Sequence, residues 1–127
     1  MKGLRLRCLL LAGSVWGLPA QQLPLTNIPG QLAEISAGAD GSIWGINQGQ
    51  DIFRWDSAKT QWVQMPGKAA KIAGGGPDGL AWVVTAPGNQ GWGQIYRWNK
   101  TNNNWDSIPG AALSVGTGKD GSVYVVS

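Results

Sequence analysis

Six side chains in this sequence have the chemistry to hold a polar ligand by contact. Trp44, Trp82, Trp92 and Tyr124 offer aromatic faces, and Arg54 and Arg97 offer forked donors. An indole or phenol face can stack on the apolar side of a sugar ring, and its quadrupole attracts cations. A guanidinium gives two parallel N–H bonds to paired hydroxyls or to a phosphate. What the chain lacks sets the other limit. It has no His and one Cys in 127 residues. Neither a Ser-His-Asp nor a Cys-His nucleophile can therefore be assembled, and no histidine or multi-thiolate metal site can form. Asp40, Asp78 and Asp120 each precede a Gly, which is turn chemistry, because Gly accepts the positive φ of a tight two-residue hairpin. One carboxylate per turn falls short of the several oxygens that calcium needs. No pair of carboxylates placed for acid–base work is visible, and no catalytic constellation can be named. These residues point to binding without catalysis, cofactor or metal.

The formal charge of +3 does not describe the body of the chain. Lys2, Arg5 and Arg7 form a basic start, Cys8–Val15 is mostly apolar, the run continues through Trp16 to Ala20, and polar sequence begins at Gln21. This is the layout of a secretory signal peptide. The run is shorter than the roughly 20 apolar residues of a spanning helix, and Arg5 and Arg7 interrupt it upstream, so no stable membrane insertion is expected. Residues 1–20 are expected to be removed, with cleavage after Gly17 or Ala20, leaving a secreted domain over residues 21–127. That domain carries seven Lys or Arg against seven Asp or Glu, and no Cys. No run of like charge remains, so the electrostatic footprint of a nucleic-acid partner is missing.

An internal repeat must position the candidate residues. Ile28-Pro29-Gly30 recurs as Met65-Pro66-Gly67 and Ile108-Pro109-Gly110; Asp40-Gly41 recurs as Asp78-Gly79 and Asp120-Gly121. Trp44, Trp82 and Tyr124 each stand four residues after the Asp, Arg54-Trp55 recurs as Arg97-Trp98, and Trp62 and Trp105 each lie four before the next Pro. The period is 37 residues from Pro29 to Pro66 and 43 from Pro66 to Pro109, the excess lying at Pro77 and in 85–94. Within a unit the hydrophobic period is two, which predicts strands over Gln31–Ala37, Ser42–Asn47, Asp51–Asp56 and Gln61–Met65, separated by Gly, Pro, Asn and Asp. Four short strands in each unit, repeated, predict an all-β fold made of β-propeller blades of four antiparallel strands. A β-sandwich would not ordinarily need so strict a repeat.

The aligned elements W-x-x-[IM]-P-G, D-G-x-x-W and I-[FY]-R-W resemble the tectonin repeat of the tectonin and fish-egg-lectin families. The resemblance covers about Leu25 to Ser127 and gives two and a half repeats. It implies a β-propeller lectin that recognises cell-surface or microbial glycans such as lipopolysaccharide. Relatives inside cells use the same repeats as trafficking scaffolds, so a protein-interaction scaffold is the alternative. Family propellers usually close with about six blades. Three sheets cannot close a ring, and an open end exposes strand edges and an inter-blade face. Either the chain is a fragment, or copies self-assemble to close the ring.

Placed in this frame, the residues divide. Trp55, Trp62, Trp98 and Trp105 stand in register, as expected of aromatics packing sheet against sheet. Trp44, Trp82 and Tyr124 follow the Asp-Gly turn, where they either pack or stack on a sugar ring. Arg54 and Arg97 alternate away from their aromatic neighbours, toward carbonyls and Asp or toward a ligand. Trp92 lies in the insertion Gly88–Gln94 that one repeat alone carries, so the repeat does not require it for packing, and it is the first binding candidate. Asn99-Lys100-Thr101 is a glycosylation sequon, on the face opposite the Trp92 loop.

Overall fold

Each of the two full repeats becomes a four-stranded antiparallel meander, because its strands are short, alternate in polarity and are joined by turn residues. The computed structural model describes residues 24–127; the leader expected over 1–20 lies outside the described residues. The first blade contains β1 (Glu34–Ala37), β2 (Ile43–Ile46), β3 (Asp51–Asp56) and β4 (Gln61–Lys68). The second contains β5 (Lys71–Ala73), β6 (Trp82–Val84), β7 (Gly93–Asn99) and β8 (Asn104–Ala112). A two-stranded hairpin follows, β9 (Ser114–Thr117) and β10 (Val123–Val126). Strands are hydrogen-bonded in sequence order in all three sheets, and the described residues form no closed ring.

Two expectations about turns are corrected. Pro66-Gly67 and Pro109-Gly110 are not turns between strands. Met65 pairs with Ile52 and Lys68 with Asp51, so Pro66 and Gly67 bulge out of β4, which runs on to Lys68 rather than stopping at Met65. Pro109 and Gly110 do the same in β8, between Ile108 opposite Ile95 and Ala111 opposite Gln94. An edge strand tolerates this because Pro has no N–H to give a ladder, and Gly67 (φ 87°) takes a conformation open mainly to glycine. The first predicted strand is likewise shorter, starting at Glu34 rather than Gln31.

The Asp40-Gly41 and Asp120-Gly121 hairpins have three-residue loops, not two; the Asp78-Gly79 connection is longer, running from Ala73 to Trp82. Gly38 N donates to Ser42 O at 2.8 Å and Gly41 N to Gly38 O at 3.0 Å, with Gly41 at φ 89°. This is a turn followed by a left-handed residue, the second common hairpin connection. Asp40 fixes it by accepting from Ser42 N (3.0 Å) and Ser42 Oγ (2.6 Å), and Asp120 accepts from Ser122 in the same way.

The core lies between blades. Trp44, Ile46 and Ile52 of the first blade meet Ile72, Val83 and Trp98 of the second, all buried. Val84, Ile95 and Ala112 form the next seam, against Val115 of the hairpin. Successive residues thus face opposite seams: Val83 looks back to the first blade and Val84 forward to the hairpin. That is the period-two pattern read at the level of the whole sheet.

Candidate functional site

The three tryptophans of the first seam show what the repeat does with its aromatics. Trp44 lies 5.8 Å from Trp98 and 5.9 Å from Trp105, and the last two are 5.0 Å apart at 70°. Trp44 has no accessible surface. A ring enclosed on both faces cannot stack on a sugar, so the role read for it as a binding platform is replaced by packing between blades. Trp82 is half-buried beside the second seam. Tyr124, at the same place in the hairpin, is 69% exposed. The packing role expected of the register tryptophans is filled by Trp98, which is buried, and by Trp105 against it. Trp55 and Trp62, 5.2 Å apart, repeat that pair on the other face of the first blade and stay half-exposed.

Each arginine sits opposite the post-turn aromatic on the neighbouring strand. The register pairs Trp44 with Arg54 and Trp82 with Arg97. The guanidinium carbons stand 5.5 and 5.9 Å from the ring centroids, within the range of a cation over an aromatic face. Trp44 Nε1 and Arg97 Nε are buried without a hydrogen-bond partner among the described residues, so each Arg–Trp pair carries one unanswered N–H.

Arg54 is exposed and borders a shallow depression of about 440 Å³ with Asp56, Ser57, Val63 and Met65. β3 supplies the charged edge and β4 the apolar floor, because Arg54 pairs with Val63 and Ile52 with Met65 on one face of the sheet. Asp56 Oδ1 accepts from Ala58 N (3.0 Å) and Lys59 N (3.1 Å), which holds the carboxylate at the loop mouth. In the second blade Asp106 and Asn99 occupy the places of Val63 and Asp56, and they bond each other at 2.9 Å. The two sites therefore share the arginine and differ in their floor.

Asn99 is occupied by its own loop. Its Oδ1 accepts from Thr101 N (2.9 Å) and Asn102 N (3.2 Å), as Asp56 does in the first blade, and its Nδ2, the atom a glycan would use, donates to Asp106. Trp92 is 47% exposed in the β6–β7 loop, which Gly88 closes by donating to Trp92 O at 3.0 Å. The strand directions place this loop at the opposite end of the blade from Arg54, so the structure does not bring Trp92 and the arginines together. The β4 residues Val63 and Met65 were not singled out from the sequence; their signal is their register opposite Arg54 and Ile52.

Among the described residues no three His, Cys, Asp or Glu side chains gather as metal ligands, and no helix is long and apolar enough to cross a membrane. Three carboxyls are held below the usual carboxylate value. For Asp40 and Asp120 the first cause is the Ser42 or Ser122 hydroxyl, and for Asp51 it is the Lys68 ammonium, followed by Asn47. All three serve turns or the β4 bulge; Asp40 also lines a groove together with Arg54, whose charge adds to its lowering.

No curated protein matches the chain. The family model of the tectonin domain matches residues 11–90. The match begins inside the leader-like stretch, where Gly13-Ser14-Val15-Trp16-Gly17 echoes Gly41-Ser42-Ile43-Trp44-Gly45. With two meander blades carrying the repeated Arg–Trp pairs and Pro-Gly bulges, and a match over most of its length, the chain belongs to the tectonin family of lectin-like β-propeller repeats.

Proposed function

We propose that this is a secreted, non-catalytic carbohydrate-binding protein, and that the depression at Arg54 is one of its sites. The observation that carries the reading is the Arg54 guanidinium, 5.5 Å from the Trp44 ring centroid and lining a depression with a carboxylate, a hydroxyl and an apolar floor. A sugar presents the complement: vicinal hydroxyls that accept from a forked donor and give to a carboxylate, and a C–H face that covers Val63 and Met65. The family supports this class of ligand, and the leader-like residues 1–20 support export. An open depression excludes little water, so a single site is weak, and repeated sites on a cell surface raise the effective affinity.

The test is an array of glycans including bacterial lipopolysaccharides, probed with the wild-type chain and Arg54→Ala. The wild type is expected to bind a subset of glycans, and the variant to lose at least tenfold in affinity for them, since two charge-assisted bonds are removed (roughly 1.5–3 kcal/mol each). A folded chain that binds no glycan overturns the reading in favour of a protein-interaction scaffold. Equal binding by the variant moves the site away from Arg54, first to Trp92.

A further inference from the structure

We infer that the two blades do not bind alike: the Arg54 depression takes an uncharged sugar, and the residue facing the arginine across the outer strand pair, Val63 in the first blade and Asp106 in the second, selects the blade that binds. The inference rests on the carbohydrate reading above and deepens it. The comparison is internal to each sheet, since register sets both positions: Arg54 pairs with Val63 and Arg97 with Asp106. Residues directly opposite in an antiparallel pair have Cβ atoms about 5 Å apart, so each is a direct cross-strand neighbour of its arginine. Val63 is 40% exposed and uncharged, and with Met65 it gives the depression its apolar floor. Asp106 puts a carboxylate in the same place.

The carboxylate changes strands between the blades. In the first, Asp56 stands at the loop mouth, and among the described residues only its Oδ1 is engaged, by Ala58 N at 3.0 Å and Lys59 N at 3.1 Å. Its Oδ2 is left to accept from a ligand hydroxyl, while Arg54, exposed and without an ion pair among the described residues, donates to the neighbouring one. Donor and acceptor thus serve one depression, above a floor that suits a C–H face. In the second blade Asn99 replaces Asp56. Its Oδ1 accepts from Thr101 N and Asn102 N, and its Nδ2 donates to Asp106 Oδ2 at 2.9 Å. The amide there keeps no carboxylate acceptor for a ligand, and a sugar C–H face laid on the floor would desolvate Asp106 at a cost. The same electrostatics set the ligand class. A phosphate or uronate brought to Arg54 meets the carboxylates of Asp56 in the depression and Asp40 in the adjoining groove, whereas a hydroxyl pair finds both donor and acceptor.

An array that sets neutral glycans (mannosides, galactosides, fucosides and N-acetylglucosaminides) beside their phosphate- and uronate-bearing counterparts reads both parts. The wild type is expected to bind at least one neutral glycan and to bind its charged counterpart roughly tenfold more weakly or not at all. Giving the first blade the residues of the second, Asp56→Asn with Val63→Asp, is expected to weaken that binding roughly tenfold or more, as Arg54→Ala does. Giving the second blade the residues of the first, Asn99→Asp with Asp106→Val, is expected to raise the saturating signal toward a second sugar per chain. The added signal should disappear with Arg97→Ala, and a misfolded chain cannot produce it. A first-blade exchange that binds like the wild type, a folded second-blade exchange that adds no site, or a preference for the charged glycans would each overturn the inference. In those cases a loss in Arg54→Ala leaves the carbohydrate reading standing. A folded wild type that binds nothing on the array overturns both.

Discussion

Trp105 donates its indole N–H to the carbonyl of Pro66 across the seam between blades, at 2.7 Å. The bulge at Pro66-Gly67 turns that carbonyl out of the β4 ladder, and the left-handed Gly67 lets the indole lie against the backbone: a Cβ there would meet Trp105 Cδ1 at 3.4 Å. The repeat of Pro-Gly in one blade with Trp in the next is therefore a single device spread over two blades. Trp105→Phe keeps most of the packing and removes the bond. We expect a loss of about 1 kcal/mol, read as a lower urea midpoint with an unchanged slope. Trp44→Ala, which empties the same cluster, is expected to cost roughly 3–5 kcal/mol.

Thr60 has φ 49° in the β3–β4 loop, and its counterpart Asn103 has φ 50° in the β7–β8 loop. Asn tolerates this region and a β-branched residue does not. Thr60→Asn is expected to stabilise the chain by about 1 kcal/mol, seen as a higher thermal midpoint. Asn103→Thr should move it the other way by a similar amount.

Gly41 and Gly79 hold the same place in successive Asp-Gly loops, at φ 89° and 71°. A Cβ on Gly41 meets nothing within 4 Å, whereas one on Gly79 would run into the Asp40 carboxylate of the preceding blade. Gly41→Ala is expected to cost about 1–2 kcal/mol, the backbone term alone. Gly79→Ala should cost a further 1–3 kcal/mol of overpacking. Equal losses by chemical denaturation would mean that adjacent loops do not stack.

Lys68 Nζ lies 2.7 Å from Asp51 Oδ1, and this pair, with Asn47, holds the Asp51 carboxyl below its usual value. A carboxyl lowered in the folded state favours folding above its unfolded value of about 3.9, and that contribution is lost as the pH falls through the lower folded value. Asp40 and Asp120 act in the same sense through Ser42 and Ser122. Stability is expected to fall on acidification below pH 4, and Lys68→Met should flatten the part of that slope owed to Asp51. Thermal midpoints measured from pH 2 to 7 check both.

Cleavage of the proposed leader after Gly17 or Ala20 should give an intact mass that corresponds to a start at Leu18 or Gln21. A mass that retains the first twenty residues would assign Gly13–Gly17 to the repeat array instead, in line with their echo of Gly41–Gly45.

Much of the blade was legible because its determinants are local. Alternation placed β2 and β3 within a residue or so, and Arg54-Trp55 and Arg97-Trp98 marked the same strand twice. The Pro-Gly bulge was not legible, because the same dipeptide also makes turns, and only the pairing of Met65 and Lys68 with β3 separates the two cases. Trp44 and Tyr124 looked equivalent in sequence and differ completely in exposure, since burial depends on whether a following blade covers the ring. Asn99 carries a sequon in the sequence, and the structure adds that its amide closes a loop, a role that Asp56 fills in the first blade without any sequon. The floor of the Arg54 depression was missed because it comes from a neighbouring strand, and that relation exists only in the register.

Every strand in these sheets is bonded only to strands adjacent in sequence, and two residues, Ala69 and Ala70, carry the chain from β4 into β5. A blade can therefore be copied or deleted as one genetic block without any surviving strand changing its neighbours, and the cost falls on the newly exposed seam alone. Length in this architecture is inherited in whole turns of the repeat, and a lineage can alter how many copies of a surface site it presents by recombination before a single contact residue mutates.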